Sequence, residues 1–253
     1  MDFDISRLLE QWDYQPGQVV VRRFKTKTGQ EKIQLRVDLG LLQMNAEGRP
    51  DGKRPGGHPS LLEFHQARLY RHLAAHEGTS EGFKLKPEEC AKLQLEAMQY
   101  HQRYFCLLQL EDYAGVVRDA ERNLAVFEFV SKHAESEELT WSLRQFTPQL
   151  LMIMTRALGG QALEAKDHAL AVQHVEEGIE RIRTFCREHS HGDGHEGVAE
   201  INSLESWLEE IKQKRPLTPR EQLERALQDA VNCEDYEKAA QVRDALRNLK
   251  PAN

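Results

Sequence analysis

Two stretches of this chain carry the same apolar stripe, and that stripe constrains the fold more than any other feature. Val116, Val117, Ala120, Leu124, Phe127 and Val130 follow Asp112-Tyr113; Ala171, Val172, Val175, Ile179, Ile182 and Phe185 follow Asp167-His168, each position offset by 55. Both stripes recur at i, i+3, i+4 and i+7, the spacing that puts side chains on one face of an α-helix. Each aspartate stands ahead of its stripe, where a carboxylate accepts a free N–H of the first turn. A helical stretch precedes each stripe, near residues 91–109 and 148–165, so the pattern predicts two successive helical hairpins. The alternative is two unrelated hairpins whose stripes agree because all helices share one period.

The second copy resembles a tetratricopeptide repeat. Leu158-Gly159 and Ala162 fall on its first helix, Asp167-His168 at its turn, and Ala171 and Gly178 at its small positions. The first copy departs from the motif, with Tyr104 where the glycine belongs. The motif's period is about 34 residues, so the longer spacing leaves room for an extra short helix around Glu137–Phe146. The resemblance implies stacked helices with a groove for a peptide or protein segment. Other helical signals surround this region. Ser60-Leu61-Leu62-Glu63 reads as a capping box, with Leu61, Leu62, His65, Leu69 and Leu73 on one face. Pro87 opens a longer helix to about Leu108. Ile201, Leu204, Leu208 and Ile211 form an amphipathic helix of the kind that caps a repeat stack.

Charge divides the chain. Of 253 residues, 34 are Lys or Arg and 41 Asp or Glu, a net charge of −7, which argues against a general nucleic-acid binder. Residues 17–54 nevertheless hold nine basic and four acidic side chains. There Ile33, Leu35, Val37 and Leu39 alternate with Gln34, Arg36 and Asp38, the period of a strand with one buried and one wet face. Val19–Lys25 reads as its partner across a Thr28-Gly29 turn, and a third strand fits Leu41–Asn45. Gly48–Gly52 and Pro55-Gly56-Gly57 then break the chain. So small a sheet is marginal alone and should pack on helices. No apolar run reaches the roughly 20 residues of a spanning helix, and Met1-Asp2-Phe3-Asp4 lacks the parts of a signal peptide. Cys90, Cys106, Cys186 and Cys233 are widely spaced, which argues against a disulfide framework or thiolate zinc site. A cytoplasmic protein with reduced thiols and no membrane contact is expected.

The C-terminal segment is the most specific. Lys212–Pro219 is basic, holds two prolines and reads as a linker. Thr218-Pro219-Arg220-Glu221 is a strong helix start. Leu223, Ala226, Leu227, Ala230 and Val231 share one face; Asp235-Tyr236 starts a second helix with Ala239, Ala240, Val242, Leu246 and Leu249, stopped by Pro251. The run Glu234-Asp235-Tyr236-Glu237-x-Ala239-Ala240-x-Val242-Arg243-Asp244 resembles the UVR motif, the helical hairpin shared by UvrB and UvrC of bacterial nucleotide excision repair. The match covers about one-eighth of the chain. The resemblance implies a bacterial protein that docks on another protein, a UvrB/UvrC-like or Clp-type component, or on a second copy of itself. It implies Tyr236, Ala239, Ala240, Arg243 and Asp244 as contact residues. The tyrosine and alanines are expected to be buried within the hairpin. Arg243 and Asp244 stand either in charge pairs across an interface or on an ordinary solvated face. The chain lacks the Walker A pattern of the UvrB motor and the cysteine pairs of arginine-kinase activators that share the motif.

Three further constellations carry possible chemistry. Cys186, His189, His191, Asp193 and His195 are donors suited to a divalent transition metal, set in a glycine-rich loop that is otherwise plain solvated chain. His72 and His76 stand i, i+4 on one helix. Arg22, Arg23, Lys25, Lys27, Lys32 and Arg36 suit a phosphate-tracking ribbon, although basic strands also simply prevent edge pairing. No G-x-S-x-G or H-E-x-x-H occurs, and Cys106, among Phe105, Leu107 and Leu108, reads as core. The expected protein is mainly α, without cofactor or catalysis. An N-terminal segment with a β-hairpin (1–58) precedes a tetratricopeptide-like helical domain (59–213), then a linker and UVR-type hairpin (214–253). Its expected work is that of a protein–protein adaptor. A repair accessory protein on nucleic acid and a metal-binding protein are the competing readings.

Overall fold

A computed structural model describes residues 4–189, 197–214 and 219–248. It divides into two compact units, Met1–Leu208 and Glu209–Asn253. In the larger unit a short helix α1 (Ser6–Glu10), which no sequence signal announces, precedes strands β1 (Val20–Lys25), β2 (Glu31–Val37) and β3 (Gly40–Asn45). They form an antiparallel sheet in the order β1-β2-β3, with Val21 opposite Leu35 and Ile33 opposite Met44. Gly29 takes φ +82° at the first turn, a conformation that costs glycine nothing.

The period-two pattern is only half right. Ile33 is buried as expected, but so are Gln34 and Arg36, because both faces of β2 are covered. Gln34 is held by Arg22 and Gln43, and Arg36 donates to the carbonyls of Trp12, Val37, Asp38 and Gly40. Leu39 falls in the β2–β3 turn and is almost fully exposed.

Helices follow: α2 (Leu61–Ala75), α3 (Pro87–Gln109), α4 (Tyr113–His133), α5 (Glu137–Arg144), α6 (Thr147–Glu164), α7 (His168–Glu188) and α8 (Val198–Lys214). Ser60 caps α2 by accepting the Leu62 N–H. The second half of the expected box differs: the Glu63 carboxylate accepts from the Ser60 hydroxyl, and the Leu61 N–H is taken by Glu96. The 55-residue repeat is realised as α4 and α7, each 21 residues long. Asp112 accepts the Gly115 N–H and Asp167 the Leu170 N–H. Val116, Ala120, Ala171 and Val175 are all buried. Further along the stripes diverge, because α5 covers the end of the first hairpin. There Leu62, Phe83, Leu85, Cys90, Leu93, Val126, Phe129, Val130 and Leu143 form one apolar cluster.

Small residues sit where helices meet. A methyl group at Gly178 would lie 2.1 Å from Thr155 Oγ1, one at Gly160 2.7 Å from the Tyr113 ring, and one at Gly159 2.6 Å from the Trp207 ring. Cys106 is fully buried, and burial pushes its thiol up to about 12. It is core, as its neighbours imply.

A polar clamp fastens the segment after β3 to α3 and α4. Arg103, itself buried, donates to both Asp119 oxygens at 2.6 and 2.8 Å and to the carbonyls of Asn45 and Gly48 at 3.0 and 2.6 Å. Arg118 adds Glu47 and the Ala46 carbonyl. Glu96, wholly buried, faces Arg49 and Arg122, and both Arg103 and Arg122 lie over the Tyr100 ring.

A candidate docking hairpin

The smaller unit contains α9 (Pro219–Asn232) and α10 (Tyr236–Asn248). Ala230 and Ala239 are buried, and Leu223, Ala226, Leu227, Ala240, Val242 and Leu246 are half-buried. Alanines at the seam let two helices approach closely. The turn between them is built from three bonds: Cys233 N–H to the Asp229 carbonyl, Glu234 N–H to Val231, and Asp235 N–H to Ala230, the last at 2.9 Å. Glu234 takes φ +56°, and the Asp235 carboxylate accepts the Lys238 N–H. This is a helix stop in the left-handed conformation followed at once by an aspartate cap. The larger unit builds its two matched hairpins the same way. Glu111 and Lys166 take φ +56° and +60°, and the N–H groups of Asp112 and Asp167 reach back to Leu107 and Ala162.

One expectation fails on this hairpin. Tyr236, the first residue of α10, is not buried within it but 71% exposed; Val231 is also exposed. Arg243 and Asp244 pair with each other at 3.3 Å on the outer face of α10, both exposed. The hairpin therefore keeps a closed alanine seam and presents Val231, Tyr236 and a pair of charges outward. The Thr218 cap, Leu249 and Pro251 lie outside the described residues.

The other predicted constellations are placed as follows. Arg22 lies over the Trp12 ring at 4.2 Å and donates to Gln34. Arg23 pairs with Asp112, Lys25 with Glu31 at 3.5 Å, and Lys32 donates to Asn45. Burial works to raise the Asp112 carboxyl, but Arg23 and the Gly115 N–H hold it below the usual carboxylate range. Lys27 stands exposed on the β1–β2 turn. The ribbon's cations are thus largely committed to the fold. His189 closes α7, its ring stacked on Phe185 and its Nδ1 3.1 Å from the Phe185 carbonyl. His191, Asp193 and His195 lie outside the described residues. His72 and His76 stack on each other at 4.0 Å, and their ring nitrogens face the carbonyls of Glu81 and His72. Among the described residues, no three His, Cys, Asp or Glu side chains are placed to share a metal ion. No described helix is long and apolar enough to cross a membrane.

The described residues define a mainly helical protein whose C-terminal unit is a two-helix hairpin with Val231 and Tyr236 exposed. Residues 220–250 match the family model of the UvrB/uvrC motif. The motif points to a role in protein interaction or DNA repair. No curated protein and no solved structure matches the chain.

Proposed function

We propose that the protein is a non-catalytic adaptor of the bacterial cytoplasm. Its C-terminal hairpin docks one protein, and the helical surface of the larger unit holds another. The observation that carries this reading is the exposure of Tyr236 and Val231 on a hairpin of the UVR family. Tyrosine supplies a large rigid anchor and is enriched among residues that dominate interfaces. The expected partner is a UvrB/UvrC-like or Clp-type component; a second hairpin of the same kind is the other occupant the surface suits. The tetratricopeptide-like reading of the larger unit is supported by its matched hairpins, α3–α4 and α6–α7, and by Gly159 and Gly178 at close approaches. Two modest interfaces on one chain raise the effective concentration of each partner for the other.

The test uses the full chain immobilised against purified UvrB-, UvrC- and Clp-type proteins. Tyr236→Ala and Val231→Asp should each weaken capture of one of them by about tenfold or more, with helicity unchanged. Capture of none, or capture indifferent to both substitutions, would sink the reading. Charge reversal at Arg22 and Arg23 should leave DNA binding weak and unchanged.

A further inference from the structure

Residues of α3, α4, α5 and α6, with Phe146 just ahead of α6, line a pocket of about 180 Å³ inside the larger unit. Its floor is buried: Ala97, Tyr104, Asn123, Leu143 and Leu150 all belong to it. Met98, Phe146 and Gln149 are exposed and mark its mouth. None of its 11 lining residues is Asp, Glu, Lys or Arg, although such residues make up 30% of the chain. An ionic ligand would lose its hydration there without gaining a counter-charge. Tyr104, Phe127 and Phe146 supply aromatic walls and Met98 a polarizable sulfur, surfaces that favour contact with a flat ring. A cavity of about 150 Å³ holds benzene, so this one takes a single ring with a small substituent.

The polar groups narrow the ligand further. The Tyr104 hydroxyl and His101 Nδ1 are 2.6 Å apart. Burial raises the Tyr104 pKa and lowers that of His101, so both side chains are neutral. Together they hold one O–H and one ring N–H, and their mutual bond uses only one of the two. Either tautomer therefore leaves one donor free, since neither side chain has another hydrogen-bond partner among the described residues. The side-chain amides of Gln94 and Gln149 also bond to no described residue. Asn123, by contrast, is held in place: it donates to the Ala97 carbonyl at 2.9 Å and accepts from Arg122 at 3.2 Å. Apolar walls with a few convergent polar groups, carried on helices, are the make-up of a small-molecule site.

We propose that this pocket binds a small uncharged aromatic ring bearing a hydroxyl group, a phenol in chemical type. The ring lies among Phe127, Phe146 and Met98. Its oxygen accepts from the His101–Tyr104 pair, while Gln94 and Gln149 offer amide oxygens for its proton. A free molecule and the tyrosine side chain of a partner present the same ring, and the test separates them. The site is independent of the C-terminal hairpin and of the adaptor reading.

Saturation-transfer NMR of the full chain, titrated with p-cresol, tests the assignment. This probe should saturate with a dissociation constant below about 1 mM. Benzoate, similar in size but charged, should bind about tenfold more weakly or worse. Phe146→Ala, at an exposed position, should weaken p-cresol by about threefold or more, and Ala97→Leu, which fills the floor, should abolish its binding; circular dichroism checks that both remain folded. His101→Leu should weaken p-cresol by about fivefold and leave toluene unchanged, a difference that general damage to the pocket would not produce. Val231→Asp should change nothing. N-acetyltyrosinamide binding more tightly than p-cresol assigns the ring to a partner's tyrosine; binding more weakly assigns it to a free molecule. No saturable binding of either probe, binding indifferent to both Phe146→Ala and Ala97→Leu, or benzoate bound as tightly as p-cresol would overturn the proposal. Equal loss of toluene and p-cresol in His101→Leu would overturn the hydroxyl contact.

Discussion

Replacing Arg103 with methionine tests the claim that the polar clamp holds the larger unit together. The substitution keeps a side chain of similar length and removes four hydrogen bonds, three of them buried. Breaking a buried ion pair by deleting one partner costs about 3–5 kcal/mol, because the other charge is left uncompensated. Asp119 retains Arg118 at 3.0 Å, which places its share near the lower end. The carbonyls of Asn45 and Gly48 also lose a charged donor, at about 1 kcal/mol each. The expected loss is about 5 kcal/mol, a large fraction of a typical domain's stability. All three tryptophans, Trp12, Trp141 and Trp207, lie in Met1–Leu208, so urea unfolding followed by tryptophan fluorescence reports that unit alone. Glu47→Gln is the control: it belongs to the same network but is exposed, and should cost less than about 1 kcal/mol. R103M together with Asp119→Leu should recover part of the loss, since an apolar pair leaves no stranded charge. A cost below about 1.5 kcal/mol for R103M, or an equal cost for Glu47→Gln, would refute the reasoning.

Gly178→Ala should destabilise the larger unit by about 2 kcal/mol or more through overpacking against Thr155. Thr155→Ala in the same chain should relieve most of that loss, and thermal melts of the two variants decide it. His65, 2% exposed, is buried with its Nδ1 2.9 Å from Arg68; burial lowers its pKa below 6.5. Its neutral form is favoured in the folded state, so the stability it contributes is present above about pH 6.5 and is lost as pH falls below that value. The melting temperature should therefore drop between pH 7.5 and 5.5, and by less in a His65→Gln variant. Glu234→Gly should stabilise the C-terminal hairpin by about 0.5–1 kcal/mol by removing the side chain from a left-handed backbone position; loss of helicity on heating is the readout.

The local parts of this fold were legible because their causes are local. The matched stripes place α4 and α7, and Asp112 and Asp167 fix their first residues through one cap each. Pro87, the Thr28-Gly29 turn and the alanine seam of the C-terminal hairpin speak in the same way. What the sequence hides is long-range. Gln34 and Arg36 look like the wet side of a strand until Trp12, Tyr14 and Gln43 cover them. Nothing next to Arg103, Asp119 or Glu96 marks them as interior charges, since their partners stand 16 to 58 positions away. The motif implies a buried Tyr236, yet this first residue of α10 is exposed, which the spacing of the apolar positions alone does not show.

The clamp has a consequence for the order in which the chain acquires its structure. The residues that secure the sheet and its following loop lie far ahead of them: Gly48 meets Arg103 after 55 positions, Glu47 meets Arg118 after 71, and Arg23 meets Asp112 after 89. At about 5–20 residues per second of synthesis, the N-terminal strands wait roughly 3–18 s for the side chains that complete them. During that interval both edges of a three-stranded sheet are unprotected, and pairing with a neighbouring nascent chain competes with folding. The α9–α10 hairpin closes on residues a few positions apart and has no such delay. Slowing translation after residue 45 should therefore lower the soluble yield, while slowing it within the hairpin should not.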